Sequence, residues 1–232
     1  MLNEESPRRH TIPVVVCLSV AAPLLLSCVI APWLMSRLSP SAVLAVFQIY
    51  YSVLALLVVI IVCYWERRPL RSIGFRWLTM KEVGLALLAG IVLFALIPAL
   101  VIVMERVFRI PTQTRMTAVA AQFAKCPIWL LVLLAANAGF VEEIIYRGYC
   151  MERLRGLTGR MWPGAVLVLV VFTALHALNG LGVGYVVGVV FPLAALLTGL
   201  YLWKRNLTLN IAVHFLTDFL ALVLLPLLLP LL

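Results

Sequence analysis

Residues 83–104 read VGLALLAGIVLFALIPALVIVM, a run without a single charged side chain. A transmembrane helix needs roughly 20 apolar residues, so this stretch predicts one helix that crosses a bilayer. The rest of the 232-residue chain has the same character, with 65% hydrophobic and 12% charged residues. Soluble globular domains have a much lower apolar share. The sequence therefore predicts an all-α, polytopic membrane helix bundle, in which residues 1–232 form a single integral membrane domain.

Further apolar runs lie on both sides of this stretch. Together they predict about seven transmembrane helices, near residues 12–34, 41–64, 83–104, 127–146, 163–179, 183–203 and 207–225. The first run follows Arg8 and Arg9, as in a signal peptide, but its apolar part is too long for one. We therefore expect residues 12–34 to be retained as an anchor.

The basic residues predict the orientation of the chain. With the N-terminus in the cytoplasm, thirteen lysines and arginines fall on the cytoplasmic side and five on the outside. Cytoplasmic loops carry the excess of basic residues, so we expect an N-in topology. The net charge of +9 then reflects topology and contact with anionic lipids, and we expect no nucleic-acid partner. The five cysteines are scattered singly, as is typical of packing residues.

Ionisable side chains are costly inside a membrane, so those within predicted spans mark candidate functional sites. Most acids fall in the tail, in loops or at span ends, where we expect them to be solvated: Glu4, Glu5, Glu66, Glu82, Glu105 and Glu152. The remaining acids and two of the three histidines belong to three short segments: Glu142 and Glu143, then His176, then His214 and Asp218.

The first segment, residues 141–148, reads VEEIIYRG. Glu143 and Arg147 are four residues apart, so on a helix they can form an ion pair that stabilises the helix end. Glu142 points about 100° away from Glu143 and can face a cavity. The alternative is that all three are ordinary charges at the end of a span, extended toward the interface.

The other two segments repeat the four-residue spacing. Phe172 and His176 share one face of the fifth predicted span, where Phe172 can support the imidazole. A histidine in this position can also be a helix-contact residue without a catalytic role. His214 and Asp218 share one face of the last span, and Asn210 extends the same polar stripe by one turn. Two ionisable groups on one face of so apolar a helix favour a functional site.

Taken in order, the three motifs Glu-Glu-x-x-x-Arg, Phe-x-x-x-His and His-x-x-x-Asp resemble those of the CPBP family of intramembrane proteases. That family includes CAAX prenyl endopeptidases of the Rce1 type and bacterial relatives linked to bacteriocin processing or immunity. The resemblance covers residues 139–219, and the earlier spans contribute only their hydropathy. It implies an intramembrane endopeptidase, located in a bacterial cell membrane, that hydrolyses a peptide bond of a membrane-associated peptide or protein.

The resemblance also implies roles for individual residues. Glu142 would activate a water molecule, His176 would help to hold it, and His214 with residue 218 would stabilise the oxyanion. Peptide hydrolysis needs such a base and such donors. The family usually has asparagine at the last position, whereas this chain has Asp218. An ionised carboxylate cannot donate a hydrogen bond to an oxyanion.

Three accounts of Asp218 are compatible with the sequence. Burial can keep its carboxyl protonated, or the carboxylate can orient and charge His214. In the third account Glu142, His176, His214 and Asp218 together bind a metal ion, for which zinc is the candidate. These residues lack the compact His-Glu-x-x-His signature of zinc proteases. We expect a metal-free site and no other cofactor.

One geometric difficulty concerns the depth of the site. If the spans end at their charged residues, Glu142 lies only ~8 Å from the membrane surface, whereas His176 lies ~24 Å deep. We therefore expect residues 148–163 to dip into the membrane or to lie along its face.

Two other functions are compatible with buried acids and histidines. A transporter or proton relay would also carry them, although the sequence shows no internal repeat and the polar groups cluster in one region. A non-catalytic immunity or scaffold protein could retain a degenerate site. Asp218, which replaces the asparagine usual in the family, would indicate such a protein.

Overall fold

The structure is a computed structural model that describes residues 25–110, 112, 121, 123–178 and 182–224, together with residues 13, 16, 17 and 21–23. Nearly all described residues belong to helices, and no β-strand occurs in these ranges. This architecture confirms the predicted all-α class. The predicted first span, residues 12–34, lies mostly outside the described residues.

Seven helices are labelled in chain order. They are α1 Ala31–Met35, α2 Pro40–Trp65, α3 Met80–Arg106, α4 Ile128–Thr158, α5 Trp162–His176, α6 Val183–Lys204 and α7 Leu207–Leu224. Five of them, α2, α3, α4, α6 and α7, are long and apolar enough to cross a membrane. Helix α5 is shorter, with 15 residues. The total of seven spans and the N-in orientation remain predictions.

Capping residues set where helices α3 and α7 begin. The Thr79 side chain accepts a hydrogen bond from the Glu82 backbone N–H, and the Glu82 carboxylate accepts one from the Thr79 N–H. This reciprocal pair is a capping box, which satisfies N–H groups left free at a helix start. The Asn206 side chain caps α7 by accepting a hydrogen bond from the Leu209 backbone N–H, and its Nδ2 donates to Glu82 Oε1 at 3.1 Å. The starts of α3 and α7 are therefore joined.

Helix α4 extends well beyond the predicted end of the fourth span at residue 146. Its charged residues are not solvated loop residues, because they form ion pairs inside the protein. Arg147 pairs with Glu143, and both side chains are fully buried. Arg153 pairs with Glu66, and these side chains are 3% and 5% exposed. Since pairing offsets the cost of burial, the helix continues to Thr158.

Because α4 is longer than predicted, Glu142 and His176 lie at similar distances from the ends of their helices. Along the helix axes, Glu142 lies roughly 20 Å from the end of α4 at Thr158, and His176 lies roughly 20 Å from the start of α5 at Trp162. Residues 148–158 continue α4 as a helix, and the expectation that residues 148–163 dip into the membrane or lie along its face stays a prediction.

The prediction that Glu66 and Glu152 are solvated is wrong, because both are buried, at 8% and 7% exposure. Glu66 Oε1 accepts a hydrogen bond from Tyr149 Oη at 2.9 Å, and Arg153 Nε donates to Glu66 Oε2 at 2.8 Å. Tyr201 Oη donates to Glu152 Oε1 at 2.6 Å. These contacts join α2, α4 and α6 near one end of the bundle.

Small residues allow α7 to pack closely against α3 and α4. A Cβ atom added to Gly139 of α4 would lie 2.9 Å from the backbone nitrogen of Phe215. A Cβ atom on Gly90 of α3 would lie 2.7 Å from Leu216 Cδ2. Close backbone approach at small residues is typical of membrane helix pairs. It brings the His214 turn of α7 beside the Glu142 turn of α4.

Candidate active site

The two adjacent glutamates lie in a π-helical stretch of α4, Ala138–Met151. π-Helical turns are rare and occur frequently at functional sites. Here the two carboxylates enter different surroundings. The Glu143 side chain is fully buried, whereas the Glu142 side chain is 27% exposed. The two glutamates therefore have separate environments, as the sequence analysis expected.

Glu143 is the centre of a buried hydrogen-bond network. Its Oε1 accepts from Arg147 Nη1 at 2.8 Å and from His214 Nδ1 at 2.9 Å. Its Oε2 accepts from Asn210 Nδ2 at 3.2 Å. A carboxylate with three such donors is held in one orientation. Glu143 therefore connects the first motif on α4 to the third motif on α7.

Arg147 extends this network to α5 and α6. Its Nη2 donates to the Ala194 carbonyl at 3.1 Å, and its Nε donates to Thr198 Oγ1 at 3.4 Å. The guanidinium also lies 5.1 Å from the centre of the Phe172 ring, within the usual range of a cation–π contact. Arg147 thus fixes the positions of three helices around the first motif.

The other nitrogen of His214 faces two further carboxylates. His214 Nε2 lies 3.9 Å from Glu142 Oε2 and 3.7 Å from Asp218 Oδ2. Both separations exceed a direct hydrogen bond. The Glu142 and Asp218 side chains are each 27% exposed, compared with 10% for His214. Three groups from the first and third motifs therefore surround one partly accessible point.

His176 lies at the end of α5 and is oriented by Phe172. Its Nδ1 lies 2.9 Å from the Phe172 carbonyl oxygen, and the two rings are 4.4 Å apart. A carbonyl only accepts, so Nδ1 carries the proton and Nε2 is left as an acceptor. Among the described residues, no carboxylate forms an ion pair with His176.

The arrangement of these side chains can be tested against a zinc site. In the part of the chain that the structure describes, no three His, Cys, Asp or Glu side chains are placed to hold a metal ion together. Glu142, His176, His214 and Asp218 therefore include no such set of three.

Sequence reasoning missed several contacts of the network. Asn210 lies on the predicted polar stripe of α7, but no spacing in the sequence connects it to Glu143. Its Oδ1 atom is buried and has no hydrogen-bond partner among the described residues. Thr198 and the Ala194 carbonyl, which bind Arg147, lie in the apolar sixth predicted span, where no local pattern marks them.

Comparison with known proteins gives one match. Residues 124–220 match the family model described as Type II CAAX prenyl endopeptidase Rce1-like. This segment contains all three motifs, and the match confirms the resemblance that they suggested. No curated protein and no solved structure matches the chain.

Proposed function

Because residues 124–220 belong to the Rce1-like family of CAAX-type intramembrane endopeptidases, we propose that this membrane protein hydrolyses a peptide bond through Glu142, His176, His214 and Asp218. One observation carries the proposal. His214 is fixed by Glu143 at Nδ1, while its Nε2 faces Glu142 and Asp218 at 3.9 and 3.7 Å. A base and a donor thus face one accessible point, as hydrolysis requires.

Glu142 acts as the general base. Its carboxylate takes a proton from a water molecule, and the resulting hydroxide adds to the carbonyl carbon of the scissile bond. His176 holds the water through Nε2, because its Nδ1 proton is directed to the Phe172 carbonyl. When the C–N bond breaks, the protonated Glu142 returns the proton to the leaving nitrogen. No proton is gained or lost over the cycle.

His214 stabilises the oxyanion of the tetrahedral intermediate. The Glu143 carboxylate binds its Nδ1–H, which supports a positive charge on the ring and leaves Nε2–H free to donate. Donors positioned in advance at a developing negative charge often supply the largest part of catalysis. Glu143 therefore acts as a positioning residue for His214 as well as the partner of Arg147.

Charge balance assigns a role to Asp218. With Glu143 paired to Arg147, the cationic His214 faces two carboxyl groups, Glu142 and Asp218. A single cation balances only one negative charge, and buried charges without partners are costly. Glu142 must be ionised to act as a base, so Asp218 holds the proton. A protonated Asp218 donates a hydrogen bond, as the asparagine usual in the family would.

The substrate is a membrane-associated peptide or protein. The apolar helices around the site keep it within or beside a bilayer, so the scissile bond must reach it from a lipid-anchored or membrane-inserted segment. This assignment requires no metal ion, because the four residues supply the base, the water-holding acceptor and the oxyanion donors.

The test uses purified protein in proteoliposomes with a farnesylated peptide ending in a CAAX sequence and, separately, membrane-inserted leader peptides. We expect Glu142→Gln to remain folded and to cleave at least ~10²-fold more slowly than wild type, the usual scale for a positioned base. Glu105→Gln, which removes a carboxylate at the end of α3, is the control and should cleave normally. Cleavage by Glu142→Gln at the wild-type rate would contradict the assignment.

A further inference from the structure

One end of the bundle carries a ring of basic and aromatic side chains, named here the basic rim. The loop between α2 and α3 meets the start of α7, the end of α6 and helix α4 there. The Leu207 backbone N–H donates to the Gly74 carbonyl at 2.8 Å, and Arg76 Nη2 donates to the Lys204 carbonyl at 2.8 Å. Arg153 Nη1 donates to the Ser72 carbonyl at 3.1 Å. The basic residues of the rim are Arg67, Arg68, Arg71, Arg76, Lys81, Arg155, Arg160 and Lys204.

The acids at this end neutralise only part of the rim, because they also bind partners inside the protein. Glu82 lies 3.8 Å from Arg76, and Glu152 lies 3.2 Å from Arg155. Glu66 binds Arg153 and Tyr149. Glu152 binds Tyr201 and Arg205. Glu82 caps α3. Within the described ranges, no carboxylate forms an ion pair with Arg67, Arg68, Arg71, Lys81 or Arg160. A surplus of positive charge is therefore left at the surface.

Aromatic side chains lie among these cations. The Trp77 side chain is 96% exposed, and Met80 next to it is 84% exposed. The Lys204 ammonium lies 3.7 Å from the centre of the Trp203 ring. Trp65, Trp162 and Trp203 are 59%, 59% and 68% exposed. Exposed tryptophans beside span ends are typical of the headgroup layer, where the ring is apolar and the N–H can donate.

The basic rim is also held in a fixed shape. The loop between α2 and α3 is anchored by Ile73, which is fully buried, and by the bonds of Arg153 to the Ser72 carbonyl and hydroxyl. Gly74 makes the turn at φ 88°, where an added Cβ would meet the Tyr201 ring. The cations are therefore presented by a structured loop, which lowers the entropy cost of binding.

We propose that the basic rim binds the phosphate groups of anionic lipid headgroups and enriches such lipids around this end of the protein. Arginine suits phosphate because its guanidinium can form two parallel hydrogen bonds. The tryptophans place the rim at the depth of the phosphates. The opposite end has fewer basic residues in its described part, so the enrichment is specific to one leaflet.

The experiment measures lipid preference by tryptophan quenching. The full chain with Trp33→Phe and Trp129→Phe, which leaves tryptophans only at the rim, is reconstituted with brominated phosphatidylglycerol or brominated phosphatidylcholine. We expect a preference for phosphatidylglycerol that weakens at high salt, because screening reduces attraction between exposed charges. Equal quenching by the two lipids would overturn the proposal.

Two triple variants distinguish the effect of charge at the rim from the effect of the protein's net charge. Arg67→Gln with Arg68→Gln and Arg71→Gln should lower the preference at least roughly fivefold, the effect of one basic residue near a charged membrane. Arg37→Gln with Arg106→Gln and Arg109→Gln removes the same charge at the opposite end and should leave the preference intact. Equal losses in both triples would mean that net charge alone is responsible. Replacing the three rim arginines by lysine preserves the charge but removes the paired guanidinium hydrogen bonds, so the preference should stay above that of the glutamine triple. A lysine triple with a preference as low as that of the glutamine triple would also overturn the proposal.

Discussion

His214 and Arg147 share one acceptor, because both donate to Oε1 of Glu143, at 2.9 and 2.8 Å. The cation on α4 and the imidazole on α7 are thus oriented by a single carboxylate oxygen that is fully buried. Glu143 therefore contacts His214, a residue of the candidate site, in addition to forming its ion pair with Arg147.

Arg147→Ala tests whether this network stabilises the fold. It leaves the buried Glu143 carboxylate without its main counter-charge, and breaking a buried pair typically costs about 3–5 kcal/mol. We expect a lower folded yield and a lower melting temperature in detergent, together with lost activity. An Arg147→Ala protein that melts like wild type but is inactive would instead place Arg147 in substrate binding.

Asn210→Leu tests the contact that sequence reasoning missed. The substitution keeps a similar volume but removes the donor to Glu143 Oε2 and the buried Oδ1 atom. A hydrogen bond to a charged group contributes about 1.5–3 kcal/mol, so we expect kcat to fall on the order of tenfold as Glu143 and His214 lose their fixed orientation. KM should change little, because Asn210 is fully buried. A change confined to KM would contradict this positioning role.

Asp218→Asn tests the protonated-donor account. The amide supplies a permanent donor, so the variant should remain active, and its activity should extend to higher pH because an amide does not ionise. The measurement is a pH–rate profile of both proteins, with elemental analysis of the same samples. A zinc ligand would behave differently, since stoichiometric zinc and activity would be lost together and a chelator would abolish wild-type cleavage.

Arg153→Leu provides a comparison for Arg147→Ala, because both remove a buried arginine from α4. Arg153 binds Glu66 and Ser72 near the end of the bundle and, within the described part of the chain, forms no hydrogen bond or ion pair with the four catalytic candidates. We expect the thermal stability to fall, whereas kcat per folded molecule should stay within about twofold of wild type, since distant sites act independently. A large loss of kcat without a loss of stability would connect this ion pair to the active site.

The local pairs of the candidate site could be predicted from the sequence because their spacings are helical. Glu143 with Arg147 and His214 with Asp218 are each four residues apart, and the structure places both pairs close together. The bond between Glu143 and His214 joins residues far apart in the chain, and helical periodicity carries no information about such contacts. The burial of Glu66 could not be predicted for a related reason. Glu66 lies beside an apolar run, where a charge is usually solvated, and only its ion pair with Arg153 explains its burial.

The charges inside α4 also affect how the protein enters a membrane. A single charged residue at the centre of a helix adds about 2.5–3.5 kcal/mol to the cost of insertion, and α4 carries Glu142, Glu143 and Arg147 in its interior. Its hydrogen-bond partners His214 and Asn210 lie on α7, which is synthesised later. Until α7 is present, these contacts do not offset the free energy of inserting the charged second half of α4. Insertion of α4 and completion of the chain are therefore coupled. A ribosome-bound chain that ends before residue 207 should hold α4 at the insertion machinery or at the membrane surface.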